Sequence, residues 1–197
     1  MPLNEAIKKL QTSIALHEDM KAYEELYVLL FDSLYRFSYS LVKSKEVAEE
    51  LVSDVFIKIW QIRDQLNQID NLRVYLYLVT KNLSLNYIAK NSRNPVVHLD
   101  EINVDARIEF KSPEDLYISA EAVSIVKQAI NELPSQCRII FLLVRDQNMK
   151  YKEVAQILNI SVFTVRNQVA IATKKIAEAL PSHFHFLLHF QDRFSVS

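Results

Sequence analysis

Arg166 and Asn167 stand side by side near the end of the stretch Tyr151–Lys175, YKEVAQILNISVFTVRNQVAIATKK. An Arg fork pairs with a guanine edge and an Asn amide with adenine, so two such side chains on one helix face suit reading of a DNA major groove. Phe163, Ala170 and Lys174 fall on the same face at helical spacing. Lys150, Lys152, Thr164, Lys174 and Lys175 are placed to meet phosphate and set position. A second cluster interleaves Arg73, Tyr77, Lys81, Asn82 and Ser84. Cations, amides and rings mixed on a helix suit single-stranded nucleic acid, because rings stack on bases while cations meet phosphates. A third set, Glu50, Ser53, Asp54 and Ile57 with Trp60 at its edge, puts apolar groups among acids, a pattern that favours a protein partner over solvent.

Each set needs an element to hold it. For Arg166 and Asn167 the element is a helix-turn-helix. Val154, Ala155 and Leu158 share one face of its first helix. Asn159 takes the left-handed backbone of the reversal. Ile160 plugs the angle, and Ser161 caps the second helix with its hydroxyl toward the Thr164 N–H. Val162, Val165, Val169, Ala172 and Ile176 recur at spacings of three and four and mark the buried side. The bland alternative is an ordinary helical hairpin.

The other sets ride on an amino-terminal run of helices. Residues 1–19 read as a short amphipathic start, Leu3 to Leu16, whose job the pattern does not reveal. A long helix from about Met20 carries Leu26, Leu30, Leu34, Phe37 and Leu41, with an aromatic row of Tyr23, Tyr27, Phe31, Tyr35 and Tyr39 expected to pack in the core. Ser44 caps a helix to about Ile62, with Ala48, Leu51, Val52, Val55, Ile59 and Ile62 inward. Asp64–Asn71 is expected to be a loop. Asn71 then caps a helix to about Lys90 with Leu72, Tyr75, Leu76, Val79 and Leu83 inward, which leaves Arg73, Tyr77, Lys81 and Asn82 on its other faces. Residues 91–112 break the helical pattern and read as a linker between two helical domains. Ser112-Pro113-Glu114-Asp115 restarts a helix, with an apolar face from Ile118 to Ile130. Pro134 interrupts it, and a core helix follows through Arg138–Val144, where Cys137 is expected to be buried.

Composition narrows the classes. The chain has 197 residues, half of them hydrophobic, and no glycine. Without glycine, tight hairpins and phosphate loops are disfavoured, so an all-α fold is expected. The single cysteine excludes an internal disulfide or a cysteine-based metal site. No leader or membrane-length apolar run is evident, and a cytoplasmic protein is expected. Net charge is −1, but residues 120–180 carry eight Lys+Arg against five Asp+Glu, so the helix-turn-helix end is the basic one. In the apolar tail, residues 181–197, His185 and His189 are four apart and could share a helix face, but a metal site is not expected there. No nucleophile set or cofactor motif is present, so neither an enzyme nor a cofactor is expected.

Two motifs in order resemble one family. AEELVSDVFIKIW (Ala48–Trp60) followed by YLYLVTKNLSLNYI (Tyr75–Ile88) resembles the second conserved region of sigma-70 RNA polymerase sigma factors, and Ile130–Ile176 resembles their fourth region. The layout is similar to the extracytoplasmic function (ECF) group. The resemblance implies a region 2 domain over 1–90, a linker over 91–112 and a region 4 helix-turn-helix over 113–180. It implies core-polymerase binding, to the β′ coiled-coil and β flap, by Glu50, Ser53, Asp54, Ile57, Lys58 and Trp60. It implies −10 promoter binding by Arg73, Tyr77, Lys81 and Asn82. It also implies −35 binding by Lys152, Ser161, Phe163, Thr164, Arg166, Asn167, Ala170 and Lys174. An anti-sigma factor is a further implied partner. Ser53 stands where the family often has Gln, and Asn159 where it usually has Gly. The alternative function is a stand-alone helix-turn-helix regulator.

Overall fold

The computed structural model of the chain describes residues 3–91 and 120–180. Among them there are only helices and turns: α1 (Leu3–His17), α2 (Met20–Val42), α3 (Lys45–Gln61), a short 3-10 helix (Arg63–Gln68), α4 (Leu72–Asn91), α5 (Ala120–Asn131), α6 (Ser135–Arg145), α7 (Tyr151–Leu158) and α8 (Val162–Ala179). The linker reading beyond Asn91, the Ser112–Asp115 helix start and the tail 181–197 with His185 and His189 lie outside the described residues.

The helix starts follow their caps. The Asp19 carboxylate accepts from Lys21 N (3.0 Å) and Ala22 N (3.2 Å) to begin α2. The Ser44 hydroxyl accepts from Val47 N (3.3 Å) to begin α3, and the Asn71 amide oxygen accepts from Val74 N (3.1 Å) to begin α4. Leu26, Leu30, Leu34, Phe37 and Leu41 of α2 are buried against Val52, Val55, Phe56 and Ile59 of α3 and Leu72, Val74 and Leu76 of α4. The aromatic row packs on this core as a stack: Tyr27–Phe31 at 4.8 Å, Phe31–Tyr35 at 6.2 Å and Tyr35–Tyr39 at 6.2 Å between ring centroids.

Residues 64–71 are not the plain loop expected from their polarity. Arg63–Gln68 closes into the 3-10 helix because Leu66 is fully buried and pulls the segment onto α1. There the buried Gln11 amide donates to the carbonyls of Leu66 and of Ile69, the second at 2.8 Å. This gives the amino-terminal helix its job: Ile7 and Ile14 join the core, and Gln11 between them holds the turn that leads into α4.

The second group of helices does not stand apart from the first. Ile139, Ile140 and Leu143 of α6, Val154 and Ile157 of α7 and Val165 and Val169 of α8 belong to the same continuous core as α1–α4. Only the far end of α8, with α5 and the start of α6, forms its own cluster: Ala129, Ile130, Leu133, Cys137, Ala172 and Ile176. Cys137 is buried as expected, its thiol facing the Gln168 carbonyl at 3.3 Å, and burial raises its pKa. Replacing Gln11 with Ala leaves two buried carbonyls without a donor, so a loss of about 1–3 kcal/mol is expected. Urea unfolding of the two proteins side by side measures it.

Candidate nucleic-acid interface

The helix-turn-helix forms as its residues demand. Asn159 ends α7 at φ 55°, ψ 49°, the left-handed region, and Ile160 N bonds back to the Ala155 carbonyl at 3.0 Å. The Ser161 hydroxyl accepts from Thr164 N at 2.9 Å and pairs with the Thr164 hydroxyl at 2.8 Å. Val165, Val169, Ala172 and Ile176 are buried, which turns Phe163, Arg166, Asn167, Ala170 and Lys174 outward. Phe163 is 69% exposed, an unusual state for a large apolar ring. Lys150 and Lys152 are exposed beside them; Lys174 reaches Glu178 at 3.8 Å, and both ends of that pair are in solvent. Ser161 and Thr164 are occupied with the cap, so they fix the start of α8 beside the exposed Phe163 and Arg166.

On α3, Glu50, Asp54, Ile57 and Lys58 are exposed, with Ile57 at 53%. Ser53 is half-buried and its hydroxyl donates to the Glu49 carbonyl at 2.8 Å. Trp60 is also half-buried. Tyr23 lies 5.1 Å from its ring, and the Arg63 guanidinium sits 5.1 Å over its face, with Arg63 in turn paired to Glu18 at 3.0 Å. The exposed four thus form the open patch, and Trp60 braces it.

The α4 cluster is placed differently from the sequence expectation. Arg73 is 5% exposed, Tyr77 0% and Lys81 8%. Only Asn82 of the four lies in solvent, and Ser84 is buried with its hydroxyl against that of Ser38 at 3.1 Å. The cover is the α6–α7 connection and α7 itself. Arg73 donates to the Gln147 carbonyl, the Tyr77 hydroxyl donates to the Gln147 side-chain oxygen at 2.9 Å, and the Lys81 ammonium donates to the Ile157 carbonyl at 2.7 Å. Asn71 donates to Glu153 at 2.9 Å while Glu153 also accepts from Lys150 N at 2.9 Å, so the caps of α4 and α7 are hydrogen-bonded to each other. The physical reason is legible afterwards: Leu72, Val74, Tyr75, Leu76, Tyr77, Leu78 and Val79 run around the whole circumference of α4, and a helix apolar on all sides is buried on all sides. Burial pulls the Lys81 pKa below its ordinary value.

Comparison with known proteins gives the class. Residues 26–94 match the family Sigma-70 region 2 and residues 124–176 match Sigma-70, region 4. The ECF RNA polymerase sigma-E factor of Escherichia coli strain K12 is 28% identical over 165 residues, covering 80% of this chain and 86% of that protein. SigW of Bacillus subtilis, another ECF RNA polymerase sigma factor, is 22% identical over 77% of this chain and 84% of its own length. SigE of Mycolicibacterium smegmatis is 24% identical over 83% of this chain, and the match spans 63% of that longer relative. In fold the chain is similar to the sigma factor RpoE of Bartonella quintana, solved in complex with the anti-sigma factor NepR (TM-score 0.55, 22% identity, 81% of this chain and 96% of that one). The chain belongs to the sigma-70 family of RNA polymerase sigma factors, in its ECF group. Such factors direct transcription initiation and are not enzymes, and a stand-alone regulator is not favoured, since region 2 is present as well as the helix-turn-helix.

Burial pushes the Tyr77 phenol up to about 12 from its ordinary 10.0. Because the folded chain holds this proton more tightly than the unfolded one, the associated stability is complete below pH 10 and disappears as pH climbs to about 12. Two units correspond to about 2–3 kcal/mol. A Tyr77→Phe variant is expected to lack the last phenol to ionise in an ultraviolet titration and to lose less stability over that alkaline window.

Proposed function

We propose that this chain, acting in the cytoplasm, directs core RNA polymerase to promoters with three separate surfaces. Glu50, Asp54, Ile57 and Lys58 of α3, braced by Trp60 and Ser53, bind the polymerase β′ coiled-coil. Arg73, Tyr77, Lys81 and Asn82 of α4 hold the melted −10 strand. The outer face of α8 reads the −35 duplex, with Arg166 and Asn167 on base edges, Phe163 and Ala170 against the groove, and Lys152, Thr164, Ser161 and Lys174 toward phosphate. In this reading residues 1–90 form the core-binding and melting unit, 91–112 the linker, and 113–180 the duplex-reading unit, which also meets the β flap. An anti-sigma factor is a proposed partner, supported by the fold likeness to a sigma factor solved with one.

The observation that carries this reading is the α8 face. It leaves an apolar ring, an Arg, an Asn and a Lys in solvent on a helix whose opposite side is locked into the core. Opening a duplex costs a few kcal/mol per unstacked base, which stacking and polar contacts in the sigma–polymerase complex offset. Run-off transcription with purified core enzyme, with and without the chain, is the test. Promoter-specific product only when both are present supports the proposal; tight binding of a duplex site by the chain alone, with no effect on transcription, defeats it.

Two substitutions probe the surfaces. Arg166→Ala is expected to relax discrimination at one −35 base pair by ~1–3 kcal/mol; competition binding of polymerase holoenzyme to single-base promoter variants reads this, and unchanged selectivity removes Arg166 from readout. Asp54→Lys combined with Ile57→Lys is expected to weaken core binding, and undiminished β′ recovery in a pull-down refutes that interface.

A further inference from the structure

Phe163 is the second residue of α8, at the tip of the helix proposed to enter the −35 groove, and its ring is 69% exposed. Its neighbours are anchored. Ile160 and Val162 pack against the core, and Val165 is fully buried. The Ser161 hydroxyl accepts from Thr164 N at 2.9 Å and pins the backbone of the same turn. The ring is therefore carried outward by a turn that is fixed on both sides of it. Arg166 and Asn167 follow about 4.5–6 Å further along the helix axis. A base-pair step is about 3.4 Å. The ring thus meets a base pair other than the ones those two side chains reach. Ala170 and Lys174 complete the outward column, so Phe163 is the only ring among its five residues.

In the major groove the base edges present amino donors, carbonyl and ring-nitrogen acceptors, and one apolar group, the 5-methyl of thymine. A phenyl ring makes a conventional hydrogen bond with none of the polar groups. Laid against adenine, guanine or cytosine it strips water from a donor or acceptor and offers nothing in return. Laid against a thymine methyl it removes hydrocarbon from water on both sides of the contact. We propose that Phe163 is a specificity-determining residue that reads the 5-methyl group of one thymine in the −35 duplex. The proposal rests on the assignment of α8 to that duplex. The ring favours thymine and disfavours its replacements, so both halves of the discrimination come from one side chain. Phosphate contacts by Lys152 and Lys174 cannot supply it, because they carry no sequence information. Burial of one methyl group corresponds to about a fourfold change in affinity.

The test uses holoenzyme assembled from core polymerase and the full chain, unmodified or carrying Phe163→Ala. The probes are two duplex libraries randomised over the whole promoter length, one copied with thymidine triphosphate and one with deoxyuridine triphosphate. Uracil keeps every hydrogen-bonding group of thymine and lacks only the methyl. Bound duplexes are recovered and sequenced. With the unmodified chain, one position of the upstream element should be enriched in thymine, and the preference there should fall by about fourfold in the uracil library. With Phe163→Ala the preference at that position should be weak and equal in the two libraries. Three results overturn the proposal: no thymine enriched in the upstream element, a preference as strong for uracil as for thymine, or a methyl effect that survives intact in Phe163→Ala. The comparison of the two libraries on the unmodified chain decides the second point without any variant. A holoenzyme that selects no upstream sequence at all defeats the assignment of α8 to −35 DNA. Sharp upstream selection that ignores the methyl defeats only the role of Phe163.

Discussion

The interaction on which this fold depends is a buried side-chain donor meeting a backbone carbonyl that a helix or turn has left over. Every helix ends with carbonyls that have no partner inside it. The usual remedy is a glycine in the left-handed region just past the end, and this chain has no glycine. Among the described residues only Glu18, Lys43, Asn148 and Asn159 take positive φ. Donors from other elements add to these turns: Gln11 serves Leu66 and Ile69, Arg138 serves Asn131 and Leu133 at and beyond the end of α5, Arg73 serves Gln147 beyond α6, and Lys81 serves Ile157 in the last turn of α7. Two of these four reach between the α4 side of the molecule and the helix-turn-helix side. Helix termination and the docking of the two units are therefore one problem with one solution. At Ile157 the solution has a further gain, since a cation there sits against the negative end of the α7 dipole.

The second determinant is α4. It takes α2 and α3 on one side and α7 on another because the apolar residues of its first turns, Leu72 and Val74–Val79, surround the helix there, and this draws α6–α8 into the amino-terminal core. The recognition helix α8 escapes the same fate. Its apolar stripe is narrow, from Val165 to Ile176 at spacings of three and four, so burial on one side is enough and the Phe163–Lys174 face stays in water. Two helices of similar length thus end in opposite situations through the width of their apolar stripes alone.

Much of the architecture was legible before any coordinates. Ser44, Asn71 and Ser161 cap the helices their positions promised, Asn159 makes the turn, and the outward residues of α3 and α8 lie where a 100° step places them. Sigma regions 2 and 4 were recognisable because their patterns rest on such local rules. What was not legible shares one cause. Gln11, Arg73, Lys81 and Arg138 look like surface residues, and they are buried because their partners are backbone oxygens, which leave no trace in side-chain periodicity. The 3-10 helix leaves as little trace: five of its six residues are polar, and Leu66 alone carries the burial that shapes it. For α4 the sequence does carry a signal, the unbroken apolar run Val74–Val79, and these apolar neighbours outweigh the polar tips of Arg73, Tyr77 and Lys81.

The same chemistry governs the junction between α4 and the helix-turn-helix helices. A cation and a guanidinium exposed in the free chain would bind any polyanion, since phosphate affinity carries no sequence information. Seating them on carbonyl oxygens gives each a buried partner, though not Arg73 Nε, while leaving a stronger acceptor able to take over. The junction holds two charged donors on neutral oxygens, one phenol–amide pair and one linked pair of caps. An all-apolar junction of the same size would offer no such exchange, because a nucleic-acid strand has nothing to trade for buried hydrocarbon. The polar residues at the junction of α4 with α7 and the α6–α7 connection thus set its register, while the apolar residues around them make it form.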